Sequence, residues 1–538
     1  MTTVRMRVST LIIALAIIIA AVAVSAQNTP TPVPEARLVP ATATSVPFIS
    51  VTRMQEPVNL SKYGFVEEEW FVSGSANVYD WLPNGDLAVK VPNAPYATRI
   101  MLRRPIDPAK FTGTVVVEIV HAPNGHDFPE MFSWSGDYVL EHNDAYVGIT
   151  MDPASIGALK RYHAQRYAPL SMANPNPTEA CAAGGRGNAN AAPQTSEVEE
   201  GLKWDIISQV GALLKAHQGG GPMAAFNVQY LYMTSQDAAQ TTYVNAIGRH
   251  ALLANGKPVY DGHVIKSGGR PARIRRCAQA PGNGDPRVAF KNPGVPVINV
   301  LQQGDVLGAL ALRRADSDDP IDRFRLYEVA GTAHSSPPPY RTATPVVADL
   351  IAADGQGAVA TRTFSQAIGP YTLEKTLKEP GRCQPTEIVT EQPHLAYIFH
   401  GAFANLDQWV RTGTPAPKAT RIDVKDVNGK PAFVFDEVGN NTGGVRTPYL
   451  DEPTRIYHPG HGDQPGCGNN FGYSEPLNWA RLEVRYGSYK NYAAKVSASI
   501  DKLARDRWVT ASDAQRIREE LLAPPTPAGG MANTNSSR

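Results

Sequence analysis

Between residues 114 and 330 the chain alternates short apolar runs with longer stretches of mixed polarity. TVVVEIV at 114–120, AYVGIT at 145–150, VQYLYMT at 228–234, VYDGHVI at 259–265, VPVINVL at 295–301 and FRLYEVA at 324–330 are rich in β-branched and aromatic residues. Near-continuous apolar runs of this length are what strands buried on both faces of a parallel sheet require. Before the third run, Val198, Leu202, Ile206, Val210, Leu213 and Leu214 recur at helical spacing over about 196–217. The pattern predicts an α/β architecture, a mostly parallel central sheet flanked by helices and joined by right-handed crossovers. Farther along, HLAYIFHGAFANLDQWVRTGTPAP at 394–417 predicts an amphipathic helix stopped by Gly413 and Pro415. GNNTGGVRTPYLDEP at 439–453 predicts a turn-rich loop, and about 501–522 a closing helix.

Two stretches break the alternation. Residues 171–195 and 266–294 are loop-like in composition and interrupt the core pattern, as lid-like insertions near the mouth of a site do. Arg270, Arg273, Arg275 and Arg276 in the second could attract an anionic group, although solvated surface charge accounts for such a cluster more simply. Residues 27–50 read as a Pro/Thr/Ala-rich linker and 524–538 as a disordered tail, which leaves 51–523 as one globular domain with an extended C-terminal region.

The N-terminus changes the compartment. Arg5 and Arg7 precede LIIALAIIIAAVAV, and the run closes on Val24-Ser25-Ala26, so residues 1–26 read as an export signal cut after Ala26. Leu11 to Val24 is shorter than the ~20 residues of a membrane-spanning helix, so no stable span is expected after cleavage. Periplasmic or extracellular residence makes Cys181, Cys277, Cys383 and Cys467 candidates for disulfides. Of the three connectivities, Cys181 with Cys277 and Cys383 with Cys467 would each join neighbouring excursions. A formal net charge of +1 provides no electrostatic reason for a nucleic-acid partner.

Three of the apolar runs stop at residues able to transfer an acyl group. Ser235 follows the third, Asp305 the fifth and His334 the sixth. A hydroxyl is a weak nucleophile until a histidine takes its proton and a carboxylate holds that imidazole in the right tautomer. Thr234 to Asp237 also fits a helix-capping box, and both readings stay open. Met233 and Asp237 stand where a tight strand-to-helix turn usually has small residues. The negative charge that develops on a substrate carbonyl needs N–H donors: the backbone of Gln236 and, after the first run, that of Ala122, with Asn124 as the alternative because Pro123 has no N–H. His121 reads as structural, and Asp261 as lying inside a strand rather than at its end. Tyr457, His458, His461 and Asp463 read as a turn before a metal site, and no loop follows a strand as a nucleotide cofactor requires, so neither metal nor cofactor is expected.

LYMTSQ, GDVLGALALRRADSDDPIDRFRLYEVAGTAH, ALKRYHAQRYAPLSMANP and GGVRTPYLDEP resemble an α/β-hydrolase domain family of exported and cytoplasmic proteins, from about Lys62 to Leu522. The resemblance implies the α/β-hydrolase fold and a serine esterase acting on a small-molecule ester, with Ser235 as nucleophile, Asp305 as acid and His334 as base. Members usually carry a glycine, one further residue, Ser-Gln, then Thr or Ser and Gly, where this chain runs Met233-Thr234-Ser235-Gln236-Asp237-Ala238. The alternative reading is a catalytically impaired member that binds an extracellular ligand.

Overall fold

The structure, a computed structural model, describes residues 30–122, 125–181, 194–217, 219–236, 238–267, 272–282, 285–334, 345–355, 394–460 and 472–523. The expected export signal and tail, Asn124, Asp237, Arg270, Cys383, Cys467, His461 and Asp463 lie outside the described residues.

The six apolar runs form β4 (Thr114–Ile119), β5 (Ala145–Ile149), β6 (Tyr230–Ser235), β7 (Gly262–Lys266), β8 (Val297–Gln302) and β9 (Phe324–Val329), all mutually parallel. Three earlier strands extend the sheet: β1 (Glu35–Leu38), β2 (Phe65–Trp81) and β3 (Leu87–Pro105). The spatial order is β1-β2-β3-β5-β4-β6-β7-β8-β9, with antiparallel pairing from β1 through β3 to β5. The β2–β3 ribbon hides from a hydrophobicity reading because its charges neutralise one another inside the sheet. Glu69 pairs with Arg99 at 2.7 Å, Glu67 with Arg103 at 2.9 Å, and Glu68 with Arg104.

Alternation along the strands sorts side chains onto two faces. Val116, Tyr146, Tyr232 and Val264 pack with Trp134, Phe399 and Leu406, from helices α1 (Glu130–His142) and, far along the chain, His394–Thr412. Val115, Val117, Leu231 and Met233 face Trp204, Ile206 and Val210 of α2 (Lys203–Lys215). Farther along the chain, among other helices, lie the short α3 (Ala238–Thr242) and α4 (Gln303–Val306) and the longer α5 (His394–Thr412), α6 (Tyr489–Arg505) and α7 (Ala511–Leu521).

Several expectations are corrected. The stretch taken as a linker supplies β1 as an edge strand and buries Phe48 and Ile49; its strand is exposed along most of its length, so no apolar alternation marks it. The expected closing helix is two helices, because Arg507 takes φ +64° and Thr510 then caps α7 by accepting from the Asp513 N–H at 3.1 Å. That turn rests on the backbone of α5 at Gly401, where a Cβ would overlap the Trp508 carbonyl oxygen. The second insertion starts later than expected, since Lys266 is the last, buried residue of β7. Arg275 pairs with Asp80 at 2.5 Å, and the Arg276 N–H bonds Glu199 at 2.8 Å, so these members of the arginine cluster tie loops to the body. Cys181 and Cys277 form a disulfide, as expected. Among the described residues no helix is long and apolar enough to cross a membrane.

Candidate active site

Parallel strands deliver their C-terminal ends to one edge of a sheet, and there the residues singled out for chemistry are found. Ser235 ends β6, Asp305 lies in α4 directly after β8, and His334 follows β9. The His334 Nδ1 and Asp305 Oδ1 atoms are 2.8 Å apart, with both side chains partly exposed. A carboxylate on Nδ1 fixes the ring and makes Nε2 the nitrogen that exchanges a proton. The two loops are laced together beneath this pair. Gln303 accepts from the Gly331 N–H at 2.6 Å, and the Gly304 N–H donates to the Thr332 carbonyl at 3.0 Å. Gly331 sits at φ +78°, a conformation that glycine adopts without strain.

Ser235 is in a different condition. It is fully buried, and its Oγ donates to the carbonyl oxygen of Ile119, the last residue of β4, at 2.8 Å. Among the described residues no hydrogen bond joins Ser235 Oγ to His334. The capping-box reading fails on geometry: Thr234 lies within β6 and α3 begins only at Ala238, so Thr234 is not the residue that caps it. The chain runs from Ser235 into Gln236, and after β4 into a loop closed by a Phe128 N–H to His121 carbonyl bond of 2.8 Å, with the Gly125 N–H on the Ala122 carbonyl at 3.2 Å. His121 is thus held in the loop's own backbone pairing with Phe128.

That loop leads into α1, whose start is held from beneath. Pro129 precedes the helix and has no side chain with which to cap it. The cap comes instead from Glu118 of β4, which accepts from Met131 N–H at 2.9 Å, Phe132 N–H at 3.0 Å and Tyr146 Oη at 2.7 Å. Burial pushes the Glu118 carboxyl up to about 7, against the pull of those three donors. Glu118 and Lys266 escape a reading that looks for catalytic residue types. Their signal is a lone charge within, or closing, an otherwise apolar strand.

The weaker candidates have structural partners. Asp261 precedes β7 rather than lying inside it, and binds Lys215 at 2.7 Å and the Leu231 N–H at 2.8 Å, far from the edge that carries Ser235. His458 stacks on Tyr473 at 4.1 Å, and burial lowers its pKa. Among the described residues no group of three or more His, Cys, Asp or Glu side chains is arranged to hold a metal. Two large concavities, of about 820 and 830 Å³, are lined by residues such as Leu38, Val51, Leu60 and Glu67 and by residues around Val438, Leu477 and Val484. Neither includes Ser235, Asp305 or His334.

A family model described as an alpha/beta hydrolase domain matches residues 29–519. No curated protein matches the chain. Among solved structures, esterase Est22 is similar at 10% identity, over 54% of this chain and 78% of that one, with a TM-score of 0.28. Poly(aspartic acid) hydrolase-1 from Sphingomonas sp. KT-1 is similar at 11% identity, over 41% and 72%, with a TM-score of 0.22. Candida antarctica lipase A is similar at 10% identity, over 45% and 42%, with a TM-score of 0.21.

Proposed function

The chain belongs to the alpha/beta hydrolase domain family, and from that premise we propose that it is an exported serine hydrolase that cleaves carboxylic esters. The observation that carries the reading is the His334–Asp305 pair, 2.8 Å apart at the sheet edge where Ser235 also ends its strand. In the proposed reaction Ser235 Oγ leaves the Ile119 carbonyl, gives its proton to His334 Nε2 and bonds to the ester carbonyl carbon. The oxygen of that carbonyl takes the negative charge and is held by the Gln236 and Ala122 N–H groups. His334 returns the proton to the departing alkoxide as the C–O bond breaks, leaving an acyl-enzyme. Water then attacks the acyl carbon, passing its proton to His334, and Ser235 leaves reprotonated. Export is supported by the N-terminal apolar run and by the Cys181–Cys277 bond, which an oxidising compartment maintains.

A second reading has its own observation. With Ser235 buried and bonded to a main-chain carbonyl, the same fold could serve as an extracellular binding protein without turnover. Labelling the mature protein with a fluorophosphonate probe separates the two, because such probes react with an activated serine. Labelling lost in both Ser235→Ala and His334→Ala is the expected result. A folded wild-type protein that does not label would overturn the hydrolase reading in favour of the binder.

A further inference from the structure

Lys266 closes an apolar strand and its side chain is fully buried. A buried ammonium is tolerated when opposite charge and hydrogen-bond acceptors meet its three donors, so the acceptors it has chosen are informative. Nζ lies 2.9 Å from Glu130 Oε1 and also bonds the side-chain oxygen of Gln236. The Gln302 amide, in the orientation that satisfies both of its ends, accepts from Lys266 at 2.8 Å and donates to Asp305 Oδ2 at 3.2 Å and to Ser267 Oγ at 2.7 Å. The carbonyl oxygen of His334 is 3.5 Å from Nζ, and the Trp134 ring lies 5.7 Å away.

These partners share one property. Glu130 opens α1 at the end of the loop that carries Ala122, and Gln236 directly follows Ser235. Gln302 ends β8 and reaches Asp305, while His334 follows β9. One cation therefore touches all of the strand-end segments from which the proposed mechanism draws its groups. Charge neutralisation of Glu130 alone would need only one of those contacts.

We infer that Lys266 is the positioning residue of this site. It holds the oxyanion-binding segments, the acid and the base in register, with Gln302 relaying its hold to Asp305. The inference rests on the assignment of Ser235, Asp305 and His334 as the reacting groups. Lys266 itself touches no substrate; its effect passes through Gln236, Gln302 and the His334 backbone. A misplacement of about 1 Å in such groups is enough to slow chemistry by ~100-fold while the substrate still binds.

The test uses the mature full-length protein, with p-nitrophenyl butyrate turnover and the rate of fluorophosphonate labelling as readouts, for wild type, Ser235→Ala, Lys266→Met, Gln302→Leu and the Lys266→Met/Gln302→Leu double variant. Near-UV circular dichroism and the melting temperature report folding. Lys266→Met is expected to lower kcat and the labelling rate by roughly 10- to 100-fold with KM within about threefold, and the double variant to lose little more than Lys266→Met alone, since both act through one network. A folded Lys266→Met protein that turns over and labels within about twofold of wild type overturns the inference, given the size expected of lost positioning. Should Lys266→Met fail to fold, Gln302→Leu decides by itself: a fall in kcat of about 10-fold at unchanged KM supports the relay, and wild-type kcat overturns it. Ser235-independent labelling, or none in the wild type, identifies the failure as that of the underlying assignment, and the role of Lys266 falls with it.

Discussion

Ser235 Oγ and the Ile119 carbonyl oxygen are 2.8 Å apart, so the hydroxyl assigned to nucleophilic attack spends its proton on the neighbouring strand. In the proposed reaction Oγ exchanges that main-chain acceptor for His334 Nε2. Ser235→Ala is expected to abolish fluorophosphonate labelling and ester turnover. Removal of one buried hydrogen bond should cost only ~1 kcal/mol in stability, so urea unfolding of the variant should stay close to wild type. Residual Ser235→Ala activity at the wild-type level would show that another group attacks.

The Asp305 carboxylate holds His334 through Nδ1. Asp305→Asn keeps the size of the side chain but presents an amide that favours the wrong ring tautomer. We expect kcat for p-nitrophenyl butyrate to fall by ~10³- to 10⁴-fold, with a circular dichroism spectrum like that of the wild type. A loss of less than about tenfold would remove Asp305 from the mechanism, given that expected size.

Glu118 links the start of α1 to the acidity of the medium. Its carboxyl is raised from 4.5 to about 7 by burial, and Asp144 is raised from 3.8 to about 7, again by burial first. In the window between those limits the folded protein keeps protons that the unfolded chain has released. The stabilisation is therefore complete below the unfolded values and is lost as pH rises through about 7. Melting temperature should fall between pH 5 and 8, with ~1–3 kcal/mol attributable to Glu118, and Glu118→Gln should flatten the slope. A Glu118→Gln protein with the wild-type slope would assign the dependence to other groups.

Gly401 sits where the turn before α7 lies directly on α5, and any Cβ there meets the Trp508 carbonyl. Backbone cannot be displaced as a flexible side chain can. Gly401→Ala should destabilise by ~2–3 kcal/mol through overpacking, read as a lower urea midpoint. A midpoint within error of wild type would mean that α6 and α7 can lift off without cost to the rest of the fold.

The parallel half of the sheet was legible because burial on both faces demands nearly uninterrupted apolar residues, and VVVEIV or VPVINVL cannot be much else. The antiparallel half was not. Glu67 to Glu69 read as surface until Arg99, Arg103 and Arg104 are seen opposite them, a pairing across some 30 residues that no local window reveals. At the proposed site, the placement of Asp305 and His334 just after their strands was legible from the apolar runs that precede them, and the Cys181–Cys277 bond from the pairing of neighbouring excursions. Lys266 falls at the boundary between a strand and a loop-like stretch, so its charge sorted it with the loop. Only the strand register shows that its side chain turns inward.

The Cys181–Cys277 bond closes a ring of main chain with a sequence separation of 96 residues. Helix α2, strand β6 with Ser235, and strand β7 with Lys266 all lie within that ring. A protease that cuts once anywhere between the two cysteines opens the ring without dividing the molecule, and the fragments on either side stay covalently joined. Nicking after Cys181 in the first insertion, or before Cys277 on the loop after β7, therefore leaves a single species under non-reducing conditions and two only after reduction, so no one cleavage inside the ring sheds the segment that bears Ser235.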